Sequence, residues 1–362
     1  MFQNSYQNRR VIVTGHTGFK GSYLVYWLKQ LGAEVCGVAL EMGEEFNHFS
    51  LINPGIRSEI FDIRDRKKLN DLFAEFQPEI VFHLAAQPLV RLSYLEPVET
   101  FDINVTGTAC VLDACRRCAS CRAIVAITSD KCYENRETLT PYVESDPMGG
   151  YDPYSCSKGC AELVISSYRR SFFNVDDYGK SHNTLLASAR AGNVVGGGDW
   201  ARDRLIPDLM KGAASGAVAV IRNPLAVRPW QHVLEPLSGY LDLGSELLNG
   251  RTSFASAYNF GPENNAAVTV EEAAGFLKAG WDSLEYKITP PENAPHEAKL
   301  LLLDASKAKR ELGWSGIWDV RETLERTSRW YRDFYCNNKI NTAQDLADYI
   351  SCAKSKGLKW TK

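Results

Sequence analysis

The chain has 362 residues, 44% of them hydrophobic and 23% charged, with 41 lysines and arginines against 44 acids and a formal net charge of −3. That balance gives no basic footprint for nucleic acid, and no lysine-arginine block points to a membrane surface. The N-terminus is polar and no apolar run approaches spanning length, so a cytoplasmic protein with small-molecule partners is expected.

The first element is a short apolar strand, Val11-Ile12-Val13, followed by Thr14 and the turn Gly15-His16-Thr17-Gly18-Phe19-Lys20-Gly21. Ser22 to Leu31 carries helical periodicity, and Glu34 to Leu40 reads as a second strand, which completes a βαβ unit. Glycines three apart between a strand and a helix let backbone approach a pyrophosphate, and a helix N-terminus offers it amide donors and a favourable dipole. A glycine triplet alone is weak evidence; its place in the first βαβ unit makes Gly15 to Gly21 a dinucleotide site. The acid that ordinarily bonds the adenosine ribose at the end of the second strand is missing. Ala39 and Leu40 stand there, with Glu41 just beyond and nothing basic to hold a 2′-phosphate. NAD is therefore favoured over NADP, and modest affinity is expected.

Further strands are predicted at Ser58 to Phe61, Ile80 to His83, Ala123 to Thr128, Leu185 to Ala191 and Ala257 to Phe260. Asp62-Ile63 follows the first of these and could bracket an adenine. Leu84-Ala85-Ala86-Gln87 follows the second, with small residues that allow a cofactor close; sheet packing is the competing reading of both segments. A helical pattern from Thr108 to Ala114 runs into Cys115, Cys118 and Cys121. Their C-x2-C-x2-C spacing resembles an iron-sulfur or zinc fragment, but no fourth ligand lies nearby, so small helix-tail cysteines are favoured and no metal is expected. All ten cysteines read as reduced thiols. Strands alternating with helices argue an α/β fold, a doubly wound parallel Rossmann sheet with ligands at the strands' carboxyl ends. Residues 1–190, completed by 230–262, form the expected cofactor domain. Residues 191–362 supply mainly a smaller, mixed lobe, with Gly196-Gly197-Gly198, a helix near Leu205 to Ser215 and a Pro290-Pro291 turn.

Tyr154-Ser155-Cys156-Ser157-Lys158 follows an Asp152-Pro153 helix start and sets a phenol and an ammonium one helical turn apart on one face. A fixed cation near a phenol favours its anion and makes it usable as a base or acid. Upstream, the strand ending at Thr128 leads into Ser129-Asp130-Lys131.

The glycine turn, His83-Leu84-Ala85-Ala86, Asn104-Val105, Thr128-Ser129-Asp130 and Tyr154-x-x-x-Lys158 together resemble the extended short-chain dehydrogenase/reductase family, from about Arg10 to Trp330. Within it, the segments 128–133 and 148–159 look like those of the nucleotide-sugar 4,6-dehydratases that act on CDP-glucose. The dTDP and GDP types usually carry Thr-Asp-Glu where this chain has Ser129-Asp130-Lys131.

The resemblance implies NAD as cofactor, with Asn104, Thr128, Tyr154 and Lys158 joining its contacts. It implies that Tyr154 accepts the C4 hydroxyl proton while Ser129 holds that hydroxyl, as a hydride passes from sugar C4 to NAD and back to C6. A base removes the C5 proton, and Asp130, as a neutral acid, protonates the departing 6-hydroxyl. Lys131 stands where relatives have a carboxylate base; it can serve only with a lowered pKa, and an ion pair with Asp130 or another carboxylate is the other reading. Asn193, Arg204, Leu205 and Arg228 are implied to bind the sugar nucleotide. Lys299 fits more loosely, surface charge being an equal reading of it and of Arg202. A homo-oligomer, dimer or tetramer, early in dideoxysugar and O-antigen formation completes the expectation. Another nucleotide-sugar 4,6-dehydratase or a 4-epimerase is the alternative, and from another class a catalytically silent NAD(P)-sensing protein.

Overall fold

Arg10–Thr14 (β1) lies inside a sheet covered on both faces, which is why it reads as an almost unbroken apolar run instead of alternating. Six further strands join it: Glu34–Ala39 (β2), Arg57–Ile60 (β3), Ile80–His83 (β4), Ala123–Ile127 (β5), Leu185–Ala191 (β6) and Ala257–Phe260 (β7). The computed structural model describes residues 1–43, 46–201, 204–221, 223–262, 267–289 and 300–362. The strand order is β7-β6-β5-β4-β1-β2-β3, and every pairing is parallel. Thr14 pairs with His83, and His83 with Ala126, so the carboxyl ends of β1, β4 and β5 reach one level. The order reverses between β1 and β4, which opens a crevice there.

Successive side chains leave a strand on opposite faces. Val11 and Val13 accordingly join one hydrophobic cluster and Ile12 another. The first cluster takes in Phe19–Gln30 (α1). The second is covered by Arg66–Phe76 (α2), Gly107–Arg117 (α3) and Pro153–Ser171 (α4). Cys115, Cys118 and Cys121 are buried as free thiols in the second cluster, which accounts for their spacing as core packing. Among the described residues no group of His, Cys, Asp or Glu is placed to hold a metal, and no helix is long and apolar enough to cross a membrane.

A third cluster is built on Leu205–Ser215 (α5), Val270–Gly280 (α7) and Val320–Asn337 (α8), with Trp200, Trp230, Trp281 and Trp330 at its centre. The chain does not stay with this cluster. Leu234–Leu248 (α6) packs on the sheet, and Trp314, Trp318, Trp360 and Thr342–Ser355 (α9) rejoin the first cluster. One buried carboxylate ties that return: Glu235 of α6 accepts from the Ile317 and Trp318 amides and from the Tyr349 hydroxyl, at 2.8–3.0 Å. Burial pushes Glu235 up to about 7 against the pull of those donors.

The helix after the glycine turn begins at Phe19, three residues earlier than its periodicity suggested, because the apolar stripe of a helix need not include its first turn. The Pro290-Pro291 turn, Lys299 and Arg202 lie outside the described residues.

Candidate active site

A cleft of about 1220 Å³ opens at the carboxyl ends of the strands. Gly15, Gly18 and Gly21 form one wall. Gly15 has φ +74°, and a Cβ there would stand 2.8 Å from the Ala85 amide nitrogen; a Cβ on Gly21 would stand 2.0 Å from the Gly15 carbonyl oxygen. Only glycine permits this closeness of turn, helix and β4 end. Gly18 caps α1 without a side chain and the first turn carries no acid, so the helix N-terminus is open to an anion. A dinucleotide pyrophosphate fits that donor set.

The β4 end is held by buried polar groups. Thr14 Oγ1 accepts from the Leu84 and Ala85 amides at 3.2 Å and bonds His83 Nδ1 at 2.8 Å. Leu84, Ala85, Ala86 and Gln87 line the cleft, as do Thr17, Phe19, Lys20, Asp62, Ile63 and Thr128. Asp62 is engaged by Arg64 at 2.6 Å, and that guanidinium holds its carboxyl below the usual range. Ala39, Leu40 and Glu41 line the position of the missing ribose acid.

Two residues expected at the cofactor, one from the turn and one from the resemblance, have side chains outside the cleft lining. His16 is buried beneath β2, its Nε2 bonded to Ser58 Oγ at 2.7 Å, and burial pushes it down to about 4; its side chain is a packing group outside the cleft lining. Asn104 is also buried behind the wall. It accepts from the Gln87 amide at 2.8 Å and donates to Gln87 O at 3.1 Å and Ser157 Oγ at 2.8 Å, tying the β4 loop to α4.

Opposite the glycine turn, β5 ends at Ile127 and the chain passes through Thr128 and Ser129 into a single helical turn, Asp130–Cys132. Ser129 Oγ donates to Asp130 Oδ1 at 2.9 Å and accepts from the Lys131 amide at 3.2 Å, which fixes the Ser129 and Asp130 side chains on the turn that carries Lys131. Asp152 caps α4 by accepting from the Ser155 amide at 2.9 Å, and Pro153 takes the first helical position, where its missing N–H costs nothing. That start delivers Tyr154 and Lys158 to the same cleft, both less than a tenth exposed, like Thr128, Ser129 and Asp130.

Burial pushes Tyr154 up to about 12; Ser129 draws it down, Asp130 pushes it up and the Arg204 cation draws it down. Burial draws Lys158 down to about 8. Lys131 lines the cleft half-buried, and among the described residues no carboxylate lies within ion-pair distance of it. The ion pair with Asp130 is therefore not formed.

On the lobe side, Arg204 at the head of α5 pairs with Asp199 at 2.7 Å. Leu205 lines the cleft beside it. Arg228 donates to Val227 O at 3.0 Å and shares with Asn193, Asp130 and Lys131 a small hollow at the cleft's edge.

A buried ion pair beneath the site escaped the sequence reading. Glu162, one turn beyond Lys158, bonds Arg190 at 2.8 Å, Ser188 at 2.9 Å and Thr128 at 2.5 Å, and Arg190 continues to the Tyr133 hydroxyl at 2.7 Å. The signal was its place in the Tyr154-Lys158-Glu162 series of one helix face.

A seven-stranded parallel sheet reversed at β1/β4, a glycine turn at the crevice and a buried Tyr-x-x-x-Lys pair define a short-chain dehydrogenase/reductase-type Rossmann protein. Residues 12–327 match the family model described as GDP-mannose 4,6 dehydratase, and the chain belongs to that family. It is 49% identical to the CDP-glucose 4,6-dehydratase of Salmonella typhimurium over 353 residues, covering 96% of this chain and 98% of the relative. It is 26% identical to the dTDP-glucose 4,6-dehydratase of Neisseria gonorrhoeae, over 90% of this chain and 96% of that one. Among solved structures, the UDP-glucose-4-epimerase of Stenotrophomonas maltophila with bound NAD superposes with a TM-score of 0.78 at 23% identity, covering 90% of this chain and 99% of that chain.

Proposed function

We propose that this chain is a hydro-lyase that removes water from CDP-glucose to give the 4-keto-6-deoxy sugar nucleotide, with NAD as its resident cofactor. The observation that carries the reading is the Ser129-Asp130-Lys131 turn, hydrogen-bonded within itself and set in one cleft with Tyr154 and Lys158. An oxidoreductase needs the Tyr-Lys pair; an elimination needs a second acid and base beside it. The 49% identity to a CDP-glucose 4,6-dehydratase supports the same substrate.

The turn Gly15 to Gly21 would hold the NAD pyrophosphate, with Asp62-Ile63 and Leu84 to Gln87 along the adenosine and ribose and with Thr128 and Lys158 at the other end. NAD bound there would supply the hydride acceptor and donor for the C4 and C6 carbons of the sugar. Tyr154 takes the C4 hydroxyl proton, and Ser129 holds that oxygen. Once C4 is a ketone, Lys131 removes the acidified C5 proton. Asp130 gives its proton to the 6-hydroxyl, the C6–O bond breaks and water leaves, and Lys131 hands its proton back to C5 as C6 is reduced. Asn193, Arg204, Leu205 and Arg228 hold the nucleotide sugar from the lobe side, a guanidinium matching a pyrophosphate through its fixed fork of donors.

In this reading residues 1–190 with 230–262 form the cofactor half and much of 191–362 the substrate lobe, a division supported by the separate third cluster around α5, α7 and α8. The protein acts in the cytoplasm as a homo-oligomer, early in dideoxysugar and O-antigen (lipopolysaccharide) formation. Incubation with CDP-, dTDP-, UDP- and GDP-glucose followed by mass analysis tests the reading. Loss of one water from CDP-glucose is expected, whereas isomerisation without mass loss would favour a 4-epimerase.

A further inference from the structure

The dehydration chemistry makes no direct use of the ion pair buried beneath the Ser129-Asp130-Lys131 turn. Arg190 bonds Glu162 twice, Nε to Oε1 at 2.9 Å and Nη2 to Oε2 at 2.8 Å, the fork-to-carboxylate geometry that suits a guanidinium. Two further bonds run from this pair to the residues that flank the turn. Before it, Thr128 Oγ1 donates to Glu162 Oε1 at 2.5 Å. After it, Arg190 Nη1 donates to the Tyr133 hydroxyl at 2.7 Å, and that hydroxyl donates to Asn259 Oδ1 of β7 at 2.7 Å. The turn holds itself weakly: the Cys132 amide reaches Ser129 O at 3.3 Å and the Tyr133 amide reaches Asp130 O at 3.4 Å, both longer than an ordinary hydrogen bond. Its place in the cleft therefore depends on its two ends. Apolar side chains often stabilise a core as well as a buried ion pair does, but they could not grip a hydroxyl on either side of the turn.

We propose that Glu162 and Arg190 are a positioning pair for the elimination step, clamping the acid–base turn at Thr128 and Tyr133. Glu162 lies on α4, one helical turn beyond Lys158, so the clamp also sets the turn against the helix that carries Tyr154 and Lys158. The proposal rests on the dehydratase reading above. In the step, the C5 proton moves to Lys131, the Asp130 proton moves to the C6 oxygen and the C6–O bond breaks. Glu162 and Arg190 neither give nor take a proton. Their part is distance: a displacement of about 1 Å in a reacting group can cost about a hundredfold in rate. The two ends of the clamp should also be separable. Thr128 anchors the end that carries Ser129, whereas Tyr133 anchors the end that carries Asp130 and Lys131, so release of Tyr133 alone should slow water loss and leave oxidation at C4 intact.

Glu162→Gln would leave a guanidinium buried without its counter-charge and endanger the fold, so the test uses Tyr133→Phe. That variant keeps the ring, its stacking on Tyr142 at 5.2 Å and the Glu162–Arg190 pair, and removes only the hydroxyl. Ser188→Ala is the control, since Ser188 bonds Glu162 Oε2 at 2.9 Å from β6 and has no bond to the turn. Both are assayed in the full chain with saturating NAD, beside urea melts. Tyr133→Phe should lower kcat for loss of water from CDP-glucose by roughly tenfold to a hundredfold, with KM within about threefold of the parent. Quenching with borodeuteride should then trap deuterium at C4 of a hexose that still carries its 6-hydroxyl, in a larger share than the parent gives. Ser188→Ala should keep kcat within about threefold of the parent even where its urea midpoint falls. A parent-like kcat in Tyr133→Phe, a loss confined to KM or matched by the unfolded fraction, or a Ser188→Ala variant equally slow would each overturn the proposal. If the parent protein itself fails to dehydrate CDP-glucose, the functional reading falls instead, so the two failures are told apart.

Discussion

The two walls of the cleft are made of different materials. The cofactor wall is backbone: glycines that let turn, helix and strand end touch, with the side chains of Thr14 and Asn104 turned inward to hold main-chain groups and His83 bonded to Thr14 behind them. The opposite wall is made of long side chains, Lys131, Tyr154, Lys158, Arg204 and Arg228, brought from separate elements. The contrast teaches where damage should appear. On the first wall a substitution changes shape and therefore affinity or stability; on the second it changes charge and therefore chemistry or substrate binding.

The largest effects belong to the charged wall. Tyr154→Phe removes the only group assigned to take the C4 proton, so turnover should fall by roughly 10²- to 10⁴-fold, the contribution typical of a positioned acid or base. Asp130→Asn and Lys131→Met should fall comparably in overall turnover, yet both should still oxidise C4, as borodeuteride trapping of the 4-ketone would reveal. A Lys131→Met variant that dehydrates at nearly the parent rate would remove lysine from the role of C5 base.

The backbone wall comes next. In Gly21→Ala the new methyl would meet the Gly15 carbonyl oxygen at 2.0 Å, with no flexible side chain to yield. Alanine in a helix gains about 1 kcal/mol over glycine, but overpacking of this kind costs about 1–3 kcal/mol, so the balance is unfavourable. NAD affinity measured by titration should drop about tenfold or more, while CDP-glucose binding is spared. If instead the sugar nucleotide is lost and NAD retained, the division of labour between the walls is wrong.

Legibility in the sequence follows the same division. The seven strands, the glycine turn and the Tyr154-Lys158 pair were readable because each is a local pattern: an apolar run, a spacing of three, a spacing of four. The side chain of His16 was misplaced because a motif specifies backbone; in the fold that imidazole turns under β2 to Ser58. The Glu162–Arg190 pair was invisible for the opposite reason, since it joins α4 to β6 across 28 positions of chain. Still longer separations hid the hollow that Asn193 and Arg228 share with Asp130 and Lys131, and the influence of the Arg204 cation on Tyr154.

Smaller effects follow. Arg228→Ala should raise KM for CDP-glucose by roughly tenfold to a hundredfold, equivalent to the about 1.5–3 kcal/mol of a hydrogen bond to a charged group, with kcat little changed. An unchanged KM would place Arg228 outside the substrate site. The smallest effect lies far from either wall. Glu235 has a folded-state pKa raised by burial to about 7, above its ordinary value, so its contribution to stability is full at pH below that ordinary value and is lost as pH rises through about 7. Urea midpoints should therefore fall between pH 5 and pH 8, and Glu235→Gln should lessen the fall without abolishing it. Asp242, raised to about 7, and Asp345, raised to about 6, act in the same direction.

The most direct test of the account is the fate of the hydrogen at C4. CDP-glucose carrying deuterium at C4, incubated with the protein and NAD, should yield a product lighter by one water whose deuterium has moved to C6. Deuterium that washes into solvent, or remains at C4 of an isomerised hexose with its 6-hydroxyl intact, would contradict an internal oxidation, elimination and reduction carried out in one cleft.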